Sequence, residues 1–284
     1  MPLILQASDL HFGKPHDPAA AEALLATATE LEPDLIVLAG DFTQRAKERE
    51  YREARAWIDR LPDVPKVFTP GNHDVPLYRV FERLFTPYRN YRRWIEDRLD
   101  TVTRIDGVTV VALNTAAPRT AIVNGTVRNR QLAFARAQFA EAPPADLRVV
   151  VLHHHMAVPG DWTWHPPLPG QERIISVLEE CGVDLILSGH LHRGFVSNSG
   201  HLLPERAREI LIVHSGTATS RRGRGREADR KSFNVVRVDR EHLSVDHYMY
   251  FREAGTFRPI ARHVSPRPPA AWIVPLDGAT GGAS

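Results

Sequence analysis

One cysteine, Cys181, stands in 284 residues, so no disulfide can form within the chain and its core must rest on packing. A lone thiol also suits a reducing compartment. No apolar run approaches the roughly 20 residues of a membrane span. The N-terminus carries no basic stretch, and residues 3–5 begin a strand rather than a leader. A cytoplasmic protein with no membrane partner is the expectation. An excess of charge of one sign is lacking too: the net value is +2, which gives no general attraction to nucleic acid. There is no internal repeat.

What is present points to layered α/β structure. The chain is 43% hydrophobic and long enough to bury a full core. Runs of Val, Ile and Leu alternate with amphipathic stretches, the pattern of strands covered by helices. Strands are expected at 3–7, 34–39 and 64–69, and helices at 18–31 and 46–61. In the second helix Tyr51, Ala54, Trp57, Ile58 and Leu61 form one apolar stripe. Residues 102–105 and 108–113 read as a hairpin around Asp106-Gly107, which suits a two-residue primed turn. Beyond a helix at 128–141, strands are expected at 148–152, 183–187, 210–214, 233–238 and 243–250, with a helix at 171–181. This divides the chain into a domain over 1–255 and a Pro/Gly-rich arm or tail over 256–284.

Two stretches carry double readings. Between 76 and 100, Tyr78, Phe81, Phe85, Tyr88, Tyr91 and Trp94 interleave with arginines, as on a nucleic-acid surface or on helices that cap a sheet; capping is preferred. Arg221, Arg222, Arg224, Arg226, Arg230 and Lys231 crowd one glycine-containing stretch, either a solvated loop or a phosphate-facing one. Trp162, Trp164 and His165 are candidates for a rim over a substrate or for plain packing.

Five clusters of metal-capable side chains stand where β-rich runs end: Asp9-Leu10-His11, Gly40-Asp41, Gly71-Asn72-His73-Asp74, His153-His154-His155 and Gly189-His190-Leu191-His192. In an extended strand, residues i and i+2 share a face, so Asp9 with His11, and His190 with His192, can each reach one ion. Asp41 is the candidate bridge between two cations, and Asn72 adds a neutral oxygen. Imidazoles mixed with carboxylate and amide oxygens suit Fe, Mn, Zn, Co or Ni, whereas calcium and magnesium prefer oxygen-only shells. Two dications bring four positive charges, and Asp9 with Asp41 return two negative ones. The remainder attracts a phosphate anion and acidifies water, so phosphate-ester hydrolysis is the reaction expected.

Taken in order, Asp9-x-His11, Gly40-Asp41, Gly71-Asn72-His73-Asp74, His153 and Gly189-His190-x-His192 resemble the calcineurin-like metallophosphoesterase superfamily over about residues 3–250. The run 152–155 and its spacing to Gly189-His190 most resemble bacterial class III cyclic nucleotide phosphodiesterases. The resemblance implies a four-layer α/β/β/α sandwich with two mixed sheets and a dinuclear metal site at strand ends. It implies a pair of divalent or mixed-valence ions, Mn, Fe or Zn. Asp9, His11, Asp41 and His192 would hold the first ion; Asp41, Asn72, His153 and His190 the second. A bridging hydroxide would attack phosphorus in line. His73 would bind phosphate or protonate the leaving oxygen, with Asp74 behind it as the other catalytic residue.

Relatives commonly carry prolines directly after the histidine pair, whereas Met156-Ala157-Val158-Pro159 follows here. Aligning the strand selects His153; aligning Pro159 selects His154. The strand is preferred because strand ends set metal geometry. Three functions are carried forward: a phosphodiesterase acting on cyclic nucleotides or another small-molecule phosphodiester, a nuclease acting on nucleic acid, and a non-catalytic scaffold. Substrate, metal identity and oligomeric state, with a homodimer among the expectations, stay open.

Overall fold

Short β-branched runs flanked by Gly, Pro and Asp can bury both faces only between other layers, and that need shapes the fold. The computed structural model describes residues 2–120, 123–161, 166–203, 208–239 and 241–267. Trp162, Trp164, His165 and the stretch 268–284 of the expected arm lie outside the described residues.

In chain order the elements are β1 (Leu3–Ala7), α1 (Pro18–Leu31), β2 (Leu35–Leu38), α2 (Glu48–Ile58), β3 (Lys66–Phe68), α3 (Val80–Phe85) and α4 (Arg89–Trp94). They continue with β4 (Thr101–Ile105), β5 (Val108–Ala112), α5 (Asn129–Ala140), β6 (Leu147–Val151), α6 (Gln171–Glu180) and β7 (Leu185–Ser188). The last strands are β8 (Phe195–Asn198), β9 (Leu211–His214), β10 (Ser232–Val238), β11 (His242–Phe251) and β12 (Thr256–Pro266).

Two six-stranded sheets result, ordered β12-β11-β10-β1-β2-β3 and β4-β5-β6-β7-β9-β8. Both are mixed: β1, β2 and β3 run parallel in the first, and β5, β6, β7 and β9 in the second. The two-residue period of the strands sorts side chains between layers. Ile4, Leu35, Val37, Val149, Val151, Leu185 and Leu187 fill the space between the sheets. Their neighbours Leu5, Ile36 and Leu38 pack under α1 and α2, while Val150, Leu152 and Ile186 pack under α5 and α6. The expected α/β/β/α sandwich is the fold observed. Among the described residues no helix is long and apolar enough to cross a membrane.

The differences from the expected elements have local causes. The stretch 256–266 pairs with β11 as an edge strand instead of leaving the sheet as an arm. Its Pro259 sits by a bulge, and an edge strand tolerates a residue without an N–H. β8 has no fully buried residue and so lacks the apolar signature of its neighbours. Segment 76–100 splits: Tyr91 is buried under the first sheet, whereas Tyr78, Phe81 and Phe85 are 69%, 81% and 74% exposed.

One buried ion pair ties β10 to the start of α1. Lys231 Nζ lies 2.7 Å from Asp17, and Lys231 is 2% exposed. Arg221 and Arg252, at 3.8 and 4.0 Å, offset only part of its loss. Lys231→Met should therefore lower the urea midpoint at fixed metal concentration, a loss of about 3 kcal/mol. An unchanged midpoint would show that the pair adds nothing to the fold.

Candidate metal centre

The parallel strands of both sheets deliver the chemistry-bearing loops to one side. Asp9 follows β1, Asp41 follows β2, Asn72 and His73 follow β3, His153 follows β6, and His190 and His192 follow β7. Carboxyl ends of parallel strands are where open α/β sheets hold ligands. The loops run side by side: Asp9 N–H donates to the Gly40 carbonyl at 3.0 Å and His11 N–H to the Asp41 carbonyl at 2.9 Å. Glycine permits this approach. A Cβ on Gly40, at φ +88°, would lie 2.6 Å from His153 Nδ1.

The strand alternation expected to aim Asp9 and His11 at one point is not what aims them. β1 ends at Ala7 and β7 at Ser188. Beyond those ends Asp9, His11, Asp41, His190 and His192 have φ of 57°, 49°, 55°, 74° and 54°. This left-handed conformation is uncommon for residues with a Cβ and collects at functional sites. Successive turns, not a shared strand face, swing the side chains inward. They also send His190 and His192 to different partners.

Two donor groups form. In the first, one ligand atom from each of Asp9, His11, Asp41 and His192 lies within 4.8 Å of the others. His11 Nε2 is 3.6 Å from Asp9 Oδ1, 3.5 Å from Asp41 Oδ2 and 3.1 Å from His192 Nε2, which is itself 3.0 Å from Asp9 Oδ1. In the second, Asn72 Oδ1 is 3.2 Å from His153 Nε2 and 2.9 Å from His190 Nδ1, which lie 3.3 Å apart. Asp41 Oδ1 is 3.5 Å from His153 Nε2. Bonds of about 2.0–2.2 Å to one ion, at tetrahedral to octahedral angles, separate ligand atoms by about 2.9–3.6 Å. The separations quoted above fall in that range, and Asp41 turns one oxygen toward each group.

Hydrogen bonds behind the donors aim them. His153 Nδ1 donates to the Ala39 carbonyl and His192 Nδ1 to the Arg222 carbonyl, both at 2.8 Å, leaving each Nε2 lone pair for the centre. Asp9 Oδ2 accepts from Ser8 Oγ at 2.6 Å and from His190 N–H at 2.9 Å. That leaves Asp9 Oδ1 and Asp41 Oδ2 buried without a hydrogen-bond donor. The His192 lone pair faces Asp9 Oδ1 directly, an arrangement that is attractive only with a proton or a cation between them. These orphaned donors fit a cation, and the mixed oxygen and imidazole set fits a divalent transition metal.

The electrostatics agree. Burial alone would raise Asp9 and Asp41, yet surrounding imidazoles hold both carboxylates well below their usual range. Burial lowers His11 to about 3. For His153 burial also acts downward, but the Asp41 charge prevails and raises it to about 9.

His154 Nδ1 lies 2.7 Å from Thr115 Oγ1, whereas His153 Nε2 is the nitrogen that meets Asn72 and Asp41. Asp74 does not stand behind the His73 ring. Its carboxylate accepts from the N–H groups of Gly71, Thr43 and Phe42 at 2.9, 3.0 and 3.2 Å and from Thr43 Oγ1 at 3.1 Å. Burial, then the Asp41 charge, push Asp74 up to about 7. These hydrogen bonds anchor the loops that carry Asp41 and His73. The carbonyl of Gln44 takes the place behind His73, 2.9 Å from Nδ1. On the other side His73 Nε2 lies 3.1 Å from Arg222 Nη1. Nothing in the sequence marked Gln44, whereas Arg222 was legible only as one arginine in a basic run.

Comparison with known proteins gives a family from sequence and a similar fold from shape. The family described as calcineurin-like phosphoesterase matches residues 2–194. The chain is 27% identical over 210 residues to the Synechococcus sp. protein named "Probable cyclic nucleotide phosphodiesterase", covering 69% of this chain and 76% of that protein. It is 28% identical over 173 residues to a cAMP/cGMP dual specificity phosphodiesterase of Mycobacterium tuberculosis, covering 57% of this chain and 49% of that protein. The fold is similar to that of a purple acid phosphatase from yellow lupin, with a TM-score of 0.66 at 11% identity over 93% of this chain and 53% of that one. The chain belongs to the calcineurin-like phosphoesterase family and is a metal-dependent phosphoester hydrolase.

Proposed function

We propose that this protein is a dinuclear-metal phosphodiesterase whose substrates are cyclic nucleotides or another small diester. The observation that carries this is the pair of abutting donor groups that share Asp41. Asp9, His11, Asp41 and His192 would hold one ion, and Asp41, Asn72, His153 and His190 the other; Mn, Fe or Zn suit both sets. Two such ions supply positive charge that polarises a phosphoryl oxygen and acidifies water. The names of the two curated relatives favour a cyclic nucleotide.

The chain's own residues orient the ester. The Gln44 carbonyl requires the His73 proton on Nδ1, so Nε2 faces the centre as an acceptor for Arg222. To bind a phosphoryl oxygen or hand a proton to the departing one, His73 must first lose that contact and gain a proton on Nε2. His73→Ala should keep both ions and slow a diester by about 10²–10⁴. Turnover equal to wild type would remove His73 from the reaction.

The defining experiment is metal content by emission spectrometry together with hydrolysis of bis(p-nitrophenyl) phosphate, with and without added Mn²⁺. Two ions per chain and metal-dependent turnover are expected; absence of hydrolysis with every divalent metal would leave a scaffold. The nuclease reading has one observation in its favour, the exposed Tyr78, Phe81 and Phe85 among Arg79, Arg83 and Arg89. A panel of 2′,3′- and 3′,5′-cyclic nucleotides, a glycerophosphodiester, and single- and double-stranded DNA separates the two. Nuclease action would also weaken steeply with salt.

A further inference from the structure

Arg222 lies beyond residues 2–194, which match the family, yet its backbone and side chain both reach the centre. Its carbonyl holds His192 Nδ1 at 2.8 Å, and the N–H of Arg224 donates to the His192 carbonyl at 3.1 Å, so the loop is fastened to one donor of the first group. From that fixed backbone the guanidinium extends to Gln44 Oε1 at 3.0 Å and His73 Nε2 at 3.1 Å, both through Nη1.

Three features of this guanidinium are unusual for a structural arginine. It is partly buried, but among the described residues it forms no ion pair with a carboxylate. Its two present acceptors are neutral, and both use Nη1, so the planar fork of Nη2 and Nε is not engaged by them. Its charge balance leans on the centre's carboxylates: burial lowers its pKa, Asp41 and then Asp9 oppose that, and Arg224 and Arg45 add to the lowering. Those two carboxylates are the groups whose charge bound dications would neutralise. A loaded centre therefore leaves a cation among cations, and a desolvated charge without a counterion is costly unless an anion arrives.

We propose that Arg222 is an anion subsite for the substrate, receiving one non-bridging oxygen of the phosphodiester in exchange for its contacts to Gln44 and His73. The subsite rests on the dinuclear reading above and names what that centre adds beyond the ions: a fork that grips the ester's negative charge. Taking up the ester would also release His73 Nε2, so substrate binding and the freeing of His73 become one event. Arg45, 4.6 Å over the Tyr78 ring, and Arg224 extend the positive rim that would draw an anionic diester in.

The test uses Mn²⁺-loaded wild type, Arg222→Ala and Arg222→Lys. Metal content is measured by emission spectrometry, inorganic phosphate binding by titration calorimetry, and KM and kcat with bis(p-nitrophenyl) phosphate. All three proteins should hold two ions per chain. In Arg222→Ala, phosphate should bind about 10- to 100-fold more weakly, with KM raised by a similar factor. Arg222→Lys, which keeps the charge but not the fork, should recover part of both. Equal phosphate affinity in wild type and Arg222→Ala, at equal metal content, overturns the subsite and leaves the dinuclear reading standing. Loss of metal from Arg222→Ala would make the side chain a support of the first donor group and equally overturn it. A wild type with neither metal nor turnover takes down both.

Discussion

Asp41→Ala should empty both donor groups at once, with metal content falling from two ions toward none and diester turnover dropping by about 10³ or more. The physical reason is that a single carboxylate serves both. Oδ2 faces His11 in the first group and Oδ1 faces His153 in the second. Oδ1 also accepts the N–H of His73 at 2.8 Å, so the loss extends to the backbone that carries His73. Burial makes the effect larger. Asp41 is 1% exposed, and no water-borne anion can replace it without reopening the loops between the sheets. Asn72→Ala gives the contrast, because it strips only the second group and should leave one ion behind. Retention of both ions by Asp41→Ala would mean that the two groups do not share a bridge.

Gly71→Ala is expected to be nearly as damaging although no donor is removed. A Cβ at Gly71 would overlap the Asp41 carboxylate and lie 2.5 Å from the Asp41 backbone nitrogen. Neither can yield cheaply, since the Asp41 carbonyl accepts from His11 N–H at 2.9 Å, its side chain accepts from His73 N–H at 2.8 Å, and Gly71 N–H donates to Asp74 at 2.9 Å. The expected result is loss of metal and a fall in turnover of at least about 10², with the thermal midpoint lowered by overpacking. Gly160→Ala is the matched control, because nothing lies within 4 Å of a Cβ there. If Gly71→Ala bound two ions and turned over like the control, the close seating of β3's loop against Asp41 would be wrong.

Both substitutions probe residues visible as clusters in the sequence, but the way they meet was not visible. The strands β1, β2, β6 and β7 could be read directly, because runs such as Leu35–Leu38 bury alternate residues in two different layers and so leave an unbroken apolar signal. The donors stood out because charged and imidazole groups seldom end such runs without a role. The edge strand β12 was hidden by Pro259 and Pro266 and by side chains that are mostly exposed, which removes the signal that marks a buried strand. Asp74 stands beside His73 in sequence, yet its oxygens fasten the backbone of two loops while the Gln44 carbonyl meets the His73 ring.

The sequence by itself determined the layered α/β architecture, the family and the set of donor types, because hydrophobic periodicity and the order of motifs are properties of the chain read along its length. Only the tertiary structure decided which donors meet: that left-handed turns at Asp9, His11, Asp41, His190 and His192 split them into two groups, that His153 Nε2 meets Asn72 and Asp41 while His154 Nδ1 meets Thr115, and that Arg222 lies against His73. Those relations join residues up to 183 positions apart, as for Asp9 and His192. They depend on backbone angles and on loop-to-loop contacts that no local pattern of residue types encodes.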